Sequence, residues 1–120
     1  MTYELAKELK GAGFPQKKFR GSDWVGHTDH EFGEFWVFGD EYKNLTEMRQ
    51  NFKKYKLFLD PTLDTLIEAC GDDFKRLQKG FHGGWYANSW NHPNGLVAIR
   101  GKTPEEAVAR LWLTINLKTL

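Results

Sequence analysis

The chain has 120 residues, and its 17 lysine and arginine residues against 16 aspartate and glutamate residues leave a net charge of +1. This length suits one domain with a single core. The near-neutral total argues against a dedicated duplex-DNA binder, because phosphate neutralisation requires a basic excess, although a local basic patch remains compatible with it.

Cysteine content and hydropathy indicate the compartment. Cys70 is the only cysteine in the sequence, which excludes an internal disulfide and a cysteine-based metal cluster. No apolar run approaches the roughly 20 residues of a membrane span. The charged, amphipathic start MTYELAKELK lacks the pattern of a signal peptide. We therefore expect a cytoplasmic protein without a membrane segment.

The first 40 residues predict a helix followed by strands and turns. Thr2 can cap a helix over about residues 3–10, which glycines and a proline end. Glycines punctuate residues 18–40, a pattern typical of strands and turns. Within them, the run EFWVF at 34–38 is rich in residues that favour strands.

Two helices are predicted in the middle of the chain. Asn44 and Glu47 have capping-box spacing at the start of a helix over about residues 45–54, and a short strand can follow over 55–59. The run Asp60-Pro61-Thr62 begins the next helix. Its apolar residues recur at helical spacing and predict one buried stripe: Leu63, Leu66, Ile67 and Cys70.

The last third predicts a meander and a helix. Residues 73–80, 84–90 and 95–100 are typical of three antiparallel strands. In the middle strand, alternation places Trp85, Ala87 and Ser89 on one face and Tyr86, Asn88 and Trp90 on the other. A proline at the first helical position and a capping-box glutamate begin a helix over residues 104–117, with an apolar face of Val108, Leu111, Trp112 and Ile115.

These elements predict one α+β domain over residues 1–120. An antiparallel sheet, made of the C-terminal three-stranded meander and an N-terminal hairpin, is expected to pack against about four helices. The C-terminal helix is expected to be central to the core.

Three stretches carry a resemblance to a family. TYELAKELKGAGFPQ, PTLDTLIEACG and GKTPEEAVARLWLTIN resemble small proteins of bacteriophages and prophages. The resemblance implies a phage or prophage origin, and it implies no activity, cofactor or catalytic residue. The start of the last helix also resembles the ending of HicB-type antitoxin domains and of phage α–β–α sandwich domains, a pattern that reflects a good helix start.

The run HTDHE at residues 27–31 is the best metal candidate, because His27 and His30 with two carboxylates can supply part of a coordination shell. Neighbouring glycines favour a polar hairpin tip, and we expect no metal or other cofactor. Cys70 lies on a predicted core face, which suits a nucleophile poorly. Without a nucleophile elbow, phosphate loop or dinucleotide fingerprint, we expect no enzyme.

Two stretches interleave cations with aromatic rings, as single-strand binding proteins do. Their basic residues are Lys17, Lys18 and Arg20 in the first stretch, and Lys53, Lys54 and Lys56 in the second. Rings of the predicted meander can add a stacking platform. Because lysines on a helix commonly form only its solvated face, a nucleic-acid-binding regulator is the alternative prediction.

Aromatic residues make up 15% of the chain, more than a core of this size readily buries. Five are expected to contribute to a binding surface: Trp24, Trp36, Trp85, Tyr86 and Trp90. Since tryptophan and tyrosine dominate binding hot spots, we expect a non-enzymatic protein that binds a host protein or a small ligand. With the resemblance, this predicts a phage accessory protein that counters or modulates a host system. Self-association through a strand edge is also compatible with the predicted sheet.

Overall fold

The computed structural model describes residues 2–16, 22–27, 33–92 and 95–117, and their side chains apart from those of 90–92, 95, 96 and 117. Contacts group the chain into two compact units, Met1–Pro61 and Thr62–Leu120. That the whole chain forms one domain stays a prediction.

The N-terminal unit contains a three-stranded antiparallel sheet of order β2-β1-β3 and two helices. The β1–β2 pair is the predicted N-terminal hairpin. Its elements are α1 Tyr3–Gly11, β1 Asp23–His27, β2 Glu34–Phe38, α2 Leu45–Asn51 and β3 Phe58–Asp60, with a short 3-10 helix at Gly39–Glu41.

Both helices of this unit begin at side-chain caps, as the sequence predicts. The Thr2 hydroxyl accepts a hydrogen bond from the backbone N–H of Leu5 at 3.2 Å. The Asn44 side chain accepts from the N–H of Glu47 at 2.8 Å. Helix α2 is shorter than its predicted span of 45–54, because the chain turns at Phe52, whose N–H donates to the Arg49 carbonyl.

Side chains on both faces of the N-terminal sheet are buried. Val25 and Phe58 pack with Ala6 of α1. Trp24 alternates with Val25 along β1 and is fully buried. The prediction that Trp24 belongs to an exposed binding surface is therefore wrong: adjacent residues of β1 point to opposite faces, and both positions lie in the core.

The C-terminal unit contains the predicted meander, a three-stranded antiparallel sheet of order β4-β5-β6. Its elements are α3 Leu63–Cys70, β4 Phe74–Lys79, β5 Trp85–His92, β6 Gly95–Gly101 and α4 Pro104–Leu117, with a short 3-10 helix at Gly71–Asp73. In α3, the predicted stripe is buried at Leu66 and Cys70 and half-buried at Leu63 and Ile67.

Helix α4 begins with the predicted capping box. Thr103 accepts from the N–H of Glu106 at 3.1 Å, and the Glu106 carboxylate accepts from the N–H of Lys102 at 2.9 Å. Burial opposes ionisation of Glu106, but the hydrogen bonds from Lys102 and from Arg110 outweigh it and lower the pKa of this carboxyl. The helix start is thus held by charge-assisted hydrogen bonds at neutral pH.

Helix α4 packs against β5, β6 and α3. Its fully buried residues include Val108 and Leu111 of the predicted apolar face, and Trp112 is nearly so. The two units together, within the described residues, contain four helices and two antiparallel sheets, which confirms the α+β class.

Replacing Gly101 should disrupt the contact between β6 and α4. A Cβ atom at this position would lie 2.7 Å from the Cα atom of Ala107, closer than packed carbons allow. Gly101→Ala is therefore expected to lower the free energy of unfolding by about 1–3 kcal/mol, measured by urea denaturation.

Gly11→Ala is the matched control, since a Cβ atom at Gly11 would meet nothing within 4 Å. Equal stability of the Gly101 and Gly11 variants would contradict the close approach of β6 and α4.

Candidate functional site

Strand alternation separates two faces of the C-terminal sheet. Lys79, Trp85 and Gly101 pair across the three strands. Because Gly101 abuts Ala107, this row lies on the face that α4 covers. Residues one step along each strand point the other way. We call this opposite side the open face; it carries Arg76, Gln78, Tyr86, Asn88, Ala98 and Arg100.

The open face combines an aromatic ring with basic and amide groups. Arg76, Gln78 and Arg100 are exposed, and Tyr86 is half-buried. Gln78, Tyr86 and Arg100 are direct neighbours across the strands. Asn88 is buried, and its side-chain oxygen accepts no hydrogen bond from any described residue. The surface therefore offers groups for stacking and for anion binding, and the exposed Gln78 amide can form hydrogen bonds.

The β4–β5 hairpin extends this surface beyond the end of the strands. Its loop is closed by a hydrogen bond from the N–H of Gly80 to the carbonyl of Gly84 at 2.9 Å. Gly83 and Gly84 have φ values of 90° and 76°, a region that side chains disfavour. At the tip, the Phe81 side chain is fully exposed, with a relative accessibility of 101%. Burying this ring against a partner would be favourable, because it would remove apolar surface from water.

A cavity of about 420 Å³ lies beside the hairpin, and we call it the hairpin cavity. A Cβ atom at Gly80 would lie 2.8 Å from the Tyr86 ring, so this ring rests directly on the loop backbone. The Arg100 guanidinium lies similarly close to Gly84. The lining residues are Gln78, Lys79, Gly80, Phe81, His82, Gly83, Tyr86 and Arg100.

The segment that forms the C-terminal sheet has basic residues but no acidic ones. Residues 74–101 contain four lysine and arginine residues and no aspartate or glutamate, although the whole chain is nearly neutral. This local count is the signal that could have located the surface from sequence, and the total charge conceals it.

The remaining aromatic candidates are described within their own units. Trp36 is 43% exposed on β2, and its indole N–H donates to Asp60 at 3.3 Å. Trp85 is half-buried on the α4 side of its sheet, while Tyr86 lies on the open face. The side chain of Trp90 lies outside the described residues. Sequence reasoning missed the exposed rings of Phe38 and Phe81.

Two of the six basic candidates line one cavity. Lys53 and Lys56 line a second cavity of about 350 Å³ in the N-terminal unit, together with Lys10 and Arg49. We call it the cationic cavity. Lys54 is exposed and does not line it. The other three candidates, Lys17, Lys18 and Arg20, lie outside the described residues.

The metal candidate is described only at its first residue. The His27 ring lies 5.3 Å from the Tyr3 ring, and residues 28–31 lie outside the described ranges. Elsewhere in the described part of the chain, no three histidine, cysteine or acidic side chains form a group that could hold a metal ion. Also among the described residues, no helix has the length and apolar character needed to cross a membrane.

Neither a protein-family model nor a curated protein nor a solved structure matches this chain.

Cys70 is buried on α3, as predicted, and should react slowly. Burial, followed by the charge of Asp73, raises the pKa of its thiol from 9.0 to about 11. At about pH 9, where a thiol with the ordinary pKa of 9.0 is half ionised, iodoacetamide should therefore label the native protein far more slowly than the urea-unfolded chain. Equal labelling rates, followed by mass spectrometry, would contradict the buried, protonated thiol.

Proposed function

We propose that the protein binds single-stranded nucleic acid, without catalysing a reaction, through the open face and the β4–β5 hairpin. The observation that carries this proposal is the neighbouring placement of Tyr86 and Arg100 beside a fully exposed Phe81, on a sheet whose sequence contains no acidic residue. Stacking rings and cations together are the means by which proteins hold single strands.

A single strand suits this surface better than a duplex. Stacking on Phe81 or Tyr86 requires a base that is not already stacked and paired within a helix. Duplex binding depends mainly on many phosphate contacts, whereas the open face places two cations, Arg76 and Arg100, beside an aromatic ring. Each nucleotide would therefore be held by stacking as well as by charge.

The exposed Gln78 amide gives the open face a means of contacting base edges. Gln78 lies directly beside Tyr86 in the strand register and is exposed. An amide both donates and accepts hydrogen bonds, which matches the mixed edges of unpaired bases. These contacts would favour particular bases, while the stacking itself tolerates any base.

A second candidate is the docking of a host protein on the N-terminal unit. Trp36 and Phe38, with exposures of 43% and 51%, alternate with buried Val37 on β2, an edge strand of its sheet. An edge strand with exposed rings suits pairing with another chain, including a second copy of this one. The resemblance to phage and prophage proteins supports a cytoplasmic accessory role that modulates a host system, with either partner.

Oligonucleotide binding tests the proposal directly. The full chain should bind a fluorescent single-stranded oligonucleotide, measured by anisotropy, and affinity should fall as salt rises from about 50 to about 200 mM. Phe81→Ala should weaken binding roughly five-fold or more at an unchanged salt dependence, because it removes stacking without charge. Arg100→Gln should also weaken binding, and it should reduce the logarithmic salt slope by about 0.7.

Exposed residues of the other unit provide matched controls. Phe38→Ala removes an exposed ring from β2, and Lys7→Gln removes an exposed cation from α1. Both should bind the oligonucleotide like the wild type. Absence of binding at low salt, or equal losses in the Phe38 and Phe81 variants, would refute nucleic-acid binding through the open face.

A further inference from the structure

We propose that the cationic cavity of the N-terminal unit is a second binding site, which takes a ligand through its phosphate groups. This site is built from residues other than those of the open face, and it does not depend on nucleic-acid binding there. Its basic side chains are Lys10 of α1, Arg49 of α2, and Lys53 and Lys56 from the segment that follows α2.

The charge of the cavity is one-sided. Its lining, among the residues that the structure describes, includes four cations and no carboxylate. Within the described part of the chain, no ion pair joins any of these four side chains to an acidic residue. Like charges gathered around one space repel each other, and a bound polyanion relieves that repulsion.

Helix ends explain only part of this cluster. Lys10 and Arg49 lie in the last turns of α1 and α2, where a cation is favoured by the helix dipole. Lys53 and Lys56 lie beyond the end of α2, so the dipole does not account for their place at the same cavity. The turns at Phe52 and Tyr55, closed by backbone hydrogen bonds, position that segment.

The cavity is also organised by contacts that hold its walls. The Arg49 guanidinium lies 5.7 Å from the centre of the buried Trp24 ring and donates to the Gln16 carbonyl at 3.5 Å. The Gln16 side chain accepts from the N–H of Leu59 at 2.7 Å, which ties this wall to β3. An arginine fixed in this way offers its planar donors to phosphate oxygens with little further loss of side-chain freedom.

The volume of about 350 Å³ indicates the size of the ligand. It lies at the lower end of small-molecule sites, which commonly enclose about 300–1,000 Å³. A diphosphate group with a small organic part fits this range. Tyr55, whose ring is held edge-on against Phe35 at 5.2 Å, provides an aromatic side to the cavity for that organic part.

Pyrophosphate is the probe that isolates this chemistry. Calorimetry at low salt should detect its binding to the full chain. The double variant Lys53→Gln with Lys56→Gln should bind it roughly ten-fold or more weakly, because two charge-assisted contacts are lost. Lys54→Gln is the matched control: this exposed lysine lies between the other two in sequence but does not line the cavity.

Two further measurements show whether the phosphate belongs to a free ligand or to a nucleic acid, and whether the two proposed sites act independently. If the double variant binds the single-stranded oligonucleotide normally, the site serves a free phosphorylated ligand; if oligonucleotide affinity also falls, it serves a nucleic-acid backbone. Phe81→Ala should leave pyrophosphate binding unchanged even if the open face fails to bind nucleic acid. No binding of pyrophosphate, or an equal loss in Lys54→Gln, would overturn the proposed phosphate site.

Discussion

The close packing of α4 on the C-terminal sheet is the constraint on which the candidate surface depends. Gly101 has no side chain, so the end of β6 approaches the backbone of Ala107 directly. This contact assigns the row through Lys79, Trp85 and Gly101 to the helix side. The strict alternation of a strand then places Gln78, Tyr86 and Arg100 together on the opposite face. The contact at Gly101 thus identifies which side of the sheet faces α4 and which side can carry a binding surface.

The local distribution of charge, and not the total charge of the chain, makes both candidate sites suitable for anionic ligands. The chain is almost neutral overall, yet the sheet segment contains cations without acids, and the cationic cavity is lined in the same one-sided way. Electrostatic attraction between exposed groups is screened over about 8 Å at physiological salt, so a ligand responds to the charges near it. A near-neutral total therefore gives little reason to exclude anionic ligands once the fold is known.

Local patterns predicted most of the fold and part of the candidate surface. The caps of α1, α2 and α4 depend on residues within a few positions of each other, and alternation correctly placed Tyr86 and Asn88 on one face. Trp24 was misassigned because its burial depends on residues distant in sequence, such as Arg49, whose guanidinium lies over its ring. Phe81 was missed because a ring among glycines suggests only a turn, and its exposure follows from the loop conformation. Lys10 lines the same cavity as Arg49, Lys53 and Lys56 although it is distant from them in sequence, so no local pattern could have predicted this cluster.

The nucleic-acid contact on the open face can be located residue by residue in solution. Backbone amide resonances of the isotope-labelled full chain would be followed by NMR during titration with a short single-stranded oligonucleotide. Binding through the open face should give the largest shifts at Gln78, Phe81, Tyr86 and Arg100, with much smaller changes along the outer side of α4. Saturable shifts confined to α4, or to the edge strand β2, would contradict binding through the open face, as would the absence of any shift.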